Sequence, residues 1–332
     1  MLRHTPFICA IYLLLFIRTV ITIIRPNWLR AWIILEINIL RFIPIIIATK
    51  SNQETEASIK YFLSQALGSI LILLGIRILY QPISQIIPIW VITVAILIKL
   101  GIAPCHFWYP SVIASLSWTN CIILSTWQKL APLSLLIITL YKTQSRTLMI
   151  ITAGINALIG GIMGINQTHL RPLLAYSSIG HIGWMTSILA INKYTFCIIY
   201  FIIYSIIVLP IFIIMSTINS KTIKTLHNLF KNNTVLVFAI AILILSLAGV
   251  PPLTGFIPKL IIIIKLIETN YTVLVFLLLG TYINLYYYLN ISFNILLTRI
   301  NINSKHNTKE TNTLPVIIIT STSILGLVPI II

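Results

Sequence analysis

The sequence predicts an all-α polytopic membrane protein, arranged as inverted repeats of about five helices with two of the helices broken inside the membrane. Three observations predict it. Of 332 residues, 58% are hydrophobic and 8% charged, whereas soluble domains carry roughly a quarter charged residues. Apolar windows of roughly 20 residues, the length that crosses a bilayer, recur along nearly the whole chain, and about eleven can be drawn. Two of these windows are interrupted by glycine and proline beside a lysine, the sequence mark of half-helices meeting near the midplane of an inverted-repeat transporter.

Taken in order, the first span covers about residues 6–24 and the second about 28–48, turning at Arg25-Pro26-Asn27-Trp28. The N-terminal segment has no small-residue cleavage site after it and reads as a first span rather than a signal peptide. The second span carries Glu36. A polar loop holding Lys50, Glu54, Glu56 and Lys60 precedes a third span that runs to about Tyr80. A fourth, from about Ile86, enters the stretch Lys99 to Trp118, where a cation, two prolines and a histidine stand inside apolar sequence. Pro104 cannot donate a backbone hydrogen bond and crowds the carbonyl four residues before it, so a helix must break or kink here. The segment after Pro110 is too short to span alone and reads as the second half of a broken helix, leading into a fifth span with Lys129 at its middle. Later spans fall near 148–166, 172–191, 195–217, 234–266, 272–298 and 313–332. The longest is interrupted again, at Leu245-Ser246-Leu247-Ala248-Gly249-Val250-Pro251-Pro252-Leu253-Thr254-Gly255-Phe256-Ile257-Pro258-Lys259. The chain thus reads as a single transmembrane domain over 1–332, with repeat halves of about 1–140 and 145–300 and a last helix at about 313–332.

Composition also excludes functions. The formal charge of +17 would suit nucleic acid in a soluble protein, but the cations are scattered among loops and span ends with no basic run. They read as anchors against anionic lipid, and no nucleic-acid partner is expected. Cys9, Cys105, Cys121 and Cys197 form no C-x-x-C pair and no metal-ligand spacing with histidine, so no iron–sulfur or zinc site is expected and the thiols read as free and buried. No glycine-rich phosphate loop is present.

Four ionisable residues lie inside spans: Glu36, Lys99, Lys129 and Lys259. An ionised side chain at that depth is costly and marks a polar interior path with a partner nearby. Burial disfavours the charged form of carboxyl and ammonium groups, and an opposite charge restores it. A Glu36–Lys99 pair would therefore hold Lys99 charged, and separating the pair would release its proton toward Lys129. Proline frees the carbonyls of Leu100, Gln128, Leu247 and Thr254 to orient water beside the lysines. His181, mid-span after Ser177-Ser178, is a relay between Lys129 and Lys259 or a packing residue. His106 sits at the first break; His4, His169, His227 and His306 read as loop residues. Arg18 and Arg41 read as snorkelling to span ends, and Trp28, Trp90 and Trp118 as interface anchors.

Several segments together resemble one family, subunit 2 of mitochondrial respiratory complex I, the proton-pumping NADH:ubiquinone oxidoreductase. They are Trp32-Ile33-Ile34-Leu35-Glu36-Ile37-Asn38, Thr55-Glu56-Ala57-Ser58-Ile59-Lys60-Tyr61-Phe62, Lys99-Leu100-Gly101-Ile102-Ala103-Pro104-Cys105-His106-Phe107-Trp108 and Thr126-Trp127-Gln128-Lys129-Leu130-Ala131-Pro132. Gly164-Ile165-Asn166-Gln167-Thr168, the Ser177–Trp184 segment and the Pro251–Lys259 segment continue the resemblance in order. It implies an antiporter-like subunit of a mitochondrial inner-membrane arm, one of several proton channels driven from a distant quinone site. It further implies that Glu36, Lys99, Lys129 and Lys259 match the family's buried Glu and three Lys, and that His181 matches a histidine on its central polar axis. Partners would be the other membrane-arm and peripheral-arm subunits, with membrane lipid around them. No cofactor is expected on this chain, since NADH, FMN, iron–sulfur clusters and ubiquinone belong elsewhere in such a complex. Cys105 stands where the family usually has Phe, Ser111 where many members carry Glu, and Ala248 where Gly is common. Two rivals remain: a stand-alone cation/proton antiporter, and a structural membrane subunit whose charges only tie helices together.

Overall fold

The helix Asn52–Leu79 turns its polar residues inward and its apolar ones outward. Its buried face carries Glu54, Ser58, Tyr61, Gln65 and Ser69 at helical spacing, while Ile59, Leu63, Leu67, Ile70 and Leu74 are exposed. In water that arrangement would be unfavourable; in hydrocarbon it is the one that satisfies polar groups internally. The computed structural model describes residues 27–48, 51–81, 86–142, 146–218 and 234–297, with Tyr12, Leu15, Phe16, Thr19, Val20 and Thr222 besides.

Among these residues the secondary structure is helical: α1 (Trp28–Ile47), α2 (Asn52–Leu79), α3 (Ile86–Leu100), α4 (Trp108–Ser115), α5 (Trp118–Ile122), a π-helical turn (Ile123–Trp127), α6 (Gln128–Lys142), α7 (Arg146–Ile165), α8 (Leu170–Ala190), α9 (Tyr194–Ile218), α10 (Thr234–Ala248), α11 (Phe256–Thr269) and α12 (Tyr271–Leu297). Asn52–Leu79, Trp118–Leu140, Arg146–Ile165, Tyr194–Thr217 and Tyr271–Leu296 are each long and apolar enough to cross a membrane alone. Ile87–Leu100 and Phe238–Ala248 are apolar but shorter, as halves of broken spans must be. The chain divides into two compact units, Met1–Leu148 and Met149–Ile332. The expected first span lies almost wholly outside the described residues, and the expected last helix at about 313–332 lies wholly outside them.

In the first unit α2 packs against α1, α3 and α4, and α3 against α6. Its start is fixed locally, because the Ser51 hydroxyl accepts the Glu54 amide at 3.3 Å and so caps an otherwise unpaired donor. In the second unit α8 is buried along nearly its whole length. Ser177, Ser178, Thr186 and Ser187 each donate to the carbonyl three residues back, which hides four hydroxyls inside the helix. Helix α7 lies close against α8: a Cβ on Gly160 would come within 2.7 Å of the Gly180 nitrogen. Small residues permit this backbone approach, the usual basis of helix association in lipid.

Both broken spans end their first half in the same way. Gly101 has φ +70°, with hydrogen bonds from its amide to the Ile98 carbonyl (3.1 Å) and from Ile102 to Leu97 (3.0 Å). Gly249 has φ +81°, with its amide on the Ser246 carbonyl (3.0 Å) and Val250 on Leu245 (3.3 Å). This pair of bonds around a left-handed glycine is the Schellman stop. The breaks therefore lie where the sequence places them, but glycine makes them. Helix α3 ends before Pro104, and α10 before Pro251, so neither proline strips a donor from an intact helix. Pro258 occupies the first turn of α11, where no intrahelical donor is needed. Only Pro132 acts as expected, inside α6, leaving the Gln128 carbonyl without its usual amide partner.

Candidate proton-conducting site

In the first unit, Lys99 and Lys129 line one cavity together with Asn38, Tyr61, Gln65, Tyr109 and Gln128. Both lysines are buried, at 5% and 4% exposure. Lys99 stands on the last turn of α3 because the Gly101 stop ends the helix just beyond it. Its ammonium donates to the Gln65 carbonyl at 3.2 Å, and the Gln65 amide returns a bond to the Lys99 carbonyl at 3.3 Å. The Trp108 indole adds a second hydrogen bond, at 3.0 Å, to the Ile98 carbonyl that the Gly101 amide already holds. Glu36, half-buried on α1, forms no direct ion pair with Lys99, and its Oε2 is buried without a hydrogen-bond partner. The expected Glu36–Lys99 pair is not closed in this structure.

Lys129 follows directly on the π-helical turn Ile123–Trp127, in which Gln128 bonds back to Ile123 and the Thr126 hydroxyl donates to Ile122 at 2.7 Å. Such turns often sit at functional positions because they rotate the following side chains out of the regular register. The Lys129 ammonium lies over the Tyr109 ring, 4.4 Å from its centroid, a cation–π contact. Asn38 Oδ1 and Gln128 Nε2 are buried without a hydrogen-bond partner on the same cavity. The space in which a water's centre fits is about 20 Å³, enough for roughly one or two waters by the usual threshold. Two amines and two amide groups without hydrogen-bond partners thus face one cavity with room for water.

In the second unit, the Lys259 ammonium donates to the Ala248 carbonyl at 2.7 Å, satisfying an end group of α10 across the break. His181 Nδ1 and the Tyr200 hydroxyl are hydrogen-bonded at 2.9 Å, and the Tyr204 ring lies 5.1 Å away, centroid to centroid. A cavity of about 10 Å³ joins His181, Tyr200 and Tyr204 to Ser246, Gly255 and Pro258 at the break that holds Lys259. Thus Lys99 and Lys129 share one cavity in their unit, while in the other unit the second cavity joins His181 to the break beside Lys259.

Several polar groups here carry no strong sequence signal. Gln65, Asn38 and Gln128 sit in apolar runs, and Gln65 and Asn38 stand on helices other than those of Lys99 and Lys129, so packing alone brings them to the lysines. Glu54, expected in a polar loop, is buried at 4% exposure, its Oε1 accepting the Ser117 amide at 2.9 Å. Trp118, expected at the membrane interface, is buried in the first unit, whereas Trp90 is exposed. His106 turns Nδ1 to the Pro104 carbonyl at 3.3 Å and buries Nε2 without a partner. Cys121 and Cys197 are buried thiols, and Cys105 is half-buried. Among the described residues no three His, Cys, Asp or Glu side chains converge on a metal position.

The family model described as "NADH:quinone oxidoreductase/Mrp antiporter, TM" matches residues 26–284. The chain belongs to this family. It is 45% identical over 279 residues to the NADH-ubiquinone oxidoreductase chain 2 of Lumbricus terrestris, covering 83% of each chain. It is 39% identical over 332 residues to the chain of the same name from Oryctolagus cuniculus, covering 95% of each. Among solved structures it matches respiratory complex I from Thermus thermophilus with TM-score 0.82 and 23% identity, over 96% of this chain and 78% of that one. It also matches the Mrp complex from Dietzia, with TM-score 0.76 and 16% identity, over 92% and 72%. Those two likenesses concern the fold, and they agree with an antiporter-like helical membrane protein.

Proposed function

We propose that the chain is the second antiporter-like membrane-arm subunit of the proton-translocating NADH:ubiquinone oxidoreductase of the mitochondrial inner membrane, and that it conducts protons through Glu36, Lys99, Lys129, His181 and Lys259. The observation that carries the conduction reading is the single water-sized cavity lined by both Lys99 and Lys129 beside unpaired Asn38 and Gln128. Two buried ammonium groups on one small cavity repel each other, so a proton on one favours its loss from the other. The open Glu36 charge biases which lysine holds it. Closure of Glu36 on Lys99 holds the proton there, and withdrawal sends it through water to Lys129. His181, held by Tyr200, and Lys259, held on the Ala248 carbonyl, carry the route to one membrane face. NADH, FMN, iron–sulfur clusters and ubiquinone are handled by other subunits, and this chain holds no redox centre.

The near end-to-end match to proteins named NADH-ubiquinone oxidoreductase chain 2 supports assembly with the other membrane-arm and peripheral-arm subunits. The family also includes Mrp antiporters, which favours a second reading, a cation/proton antiporter acting alone. Native gels of mildly solubilised inner mitochondrial membranes separate the two. Peptides of this chain migrating with NADH dehydrogenase activity in a very large complex are expected. Their migration as a small, inactive species that transports sodium after reconstitution would overturn the subunit reading.

A further inference from the structure

The start of α2 holds two glutamates with opposite fates. Glu56 faces outward and pairs with Lys60 one turn on, both side chains well exposed. Glu54 faces inward, 4% exposed. Its Oε1 accepts the backbone amide of Ser117, the residue that caps α5, at 2.9 Å, and the positive end of that helix favours a carboxylate there. Its Oε2 is buried and has no hydrogen-bond partner. A buried carboxylate oxygen left without a donor is costly and calls for an explanation.

The face of α2 on which Glu54 lies supplies one. Ser58, Tyr61 and Gln65 follow it at intervals of four, three and four residues, all buried on one stripe. Tyr61 and Gln65 line the cavity of Lys99 and Lys129, and Gln65 bonds Lys99 in both directions. At 1.5 Å per residue, Gln65 lies about 16 Å from Glu54 along the helix, roughly half the thickness of the hydrocarbon core. The stripe therefore leads from one membrane surface to the buried lysines in steps of about one helical turn, each short enough for a hydroxyl and a water to bridge.

We propose that Glu54 is the proton-loading group for the Lys99–Lys129 cavity, taking protons from the aqueous phase at its membrane face and passing them along the Ser58–Tyr61–Gln65 stripe of α2. The inference rests on the conduction reading above. In each cycle the carboxylate Oε2 accepts one proton from water and releases it to water on the stripe. Lys99, having given its own proton to Lys129, accepts it, and Glu54 returns to the carboxylate held by the Ser117 amide.

Two substitutions separate proton transfer from a structural role. Glu54→Gln keeps an oxygen for the Ser117 amide but carries no titrating proton; Glu54→Asp keeps the proton carrier but shortens the reach to Ser117. NADH-driven proton translocation is measured in vesicles holding the intact complex, with native gels reporting assembly and Lys129→Met as a control. Glu54→Gln should lower translocation by about a hundredfold, the low end of what a positioned proton-transfer group contributes, while Glu54→Asp retains most of it. Equal translocation by the two variants, or Glu54→Gln exceeding Glu54→Asp, overturns the assignment. If Lys129→Met blocks translocation and Glu54→Gln does not, only Glu54 falls; if Lys129→Met also leaves it unchanged, the conduction reading falls first. Should Glu54→Gln fail to assemble, labelling of the wild-type complex with a lipid-soluble carbodiimide, which reacts with protonated buried carboxyls, decides instead. A mass-mapped adduct on Glu54 supports the proposal, and its absence there overturns it.

Discussion

Gly249→Ala tests whether the second helix break positions its lysine. Gly249 has φ +81°, a region that costs an L-residue roughly 1–2 kcal/mol. A Cβ there would stand 2.7 Å from the Lys259 ammonium nitrogen and 2.9 Å from its Cδ, too close for either to stay in place. The side chain is held by its 2.7 Å bond to the Ala248 carbonyl, so the methyl group pushes the ammonium off the one acceptor it has across the break. Losing a hydrogen bond from a charged donor adds about 1.5–3 kcal/mol, for a total of about 2.5–5 kcal/mol. The two contributions are separable by a double-mutant cycle. With Lys259→Ala in the background both the ammonium and the chain carrying it are absent, and Gly249→Ala should cost only the backbone strain, leaving a coupling of about 1.5–3 kcal/mol. Denaturant titration of the detergent-solubilised complex measures each variant, followed by release of peptides of this chain. A cost for Gly249→Ala that is the same in both backgrounds would refute the claim that the glycine makes room for Lys259.

Gly160→Ala should impair folding of the second unit by about 1–3 kcal/mol, because its methyl group meets the α8 backbone rather than a side chain that can yield; normal amounts of assembled complex on native gels would contradict this. Tyr200→Phe removes the hydroxyl bonded to His181 Nδ1 at a cost of about 0.5–1.5 kcal/mol. The complex should assemble yet pump several-fold more slowly, and an unchanged rate at equal assembly would show that the bond does not serve conduction.

Hydropathy reads helix extents well because a bilayer demands long apolar runs. The expected 28–48 and 148–166 spans are Trp28–Ile47 and Arg146–Ile165. Both broken spans were legible from glycine and proline beside lysine. Their mechanism was not, since proline and glycine occur together and only the backbone shows that Gly101 and Gly249 end the helices first. The burial of Lys99, Lys129, Lys259 and His181 followed from their depth in the spans. Which neighbours they meet did not follow. An isolated Gln or Asn in an apolar run has no preferred face until packing chooses one, so Gln65, Asn38 and Gln128 gave no signal of their own. Glu54 was hidden for the opposite reason: two glutamates close to two lysines look like a solvated turn, and only the i, i+4, i+7, i+11 register with Ser58, Tyr61 and Gln65 points one of them inward. The π-helical turn before Lys129 leaves no composition signature beyond Pro132 a turn later.

We propose that a proton moves through the cavity shared by Lys99 and Lys129. The most direct test is the number of protons translocated per NADH oxidised by vesicles containing the intact complex with Lys129→Met, which fills the same space without a titratable amine. The complex should assemble, with proton translocation and coupled quinone reduction both lower by about tenfold or more. An assembled complex that pumps with unchanged stoichiometry and rate would contradict it.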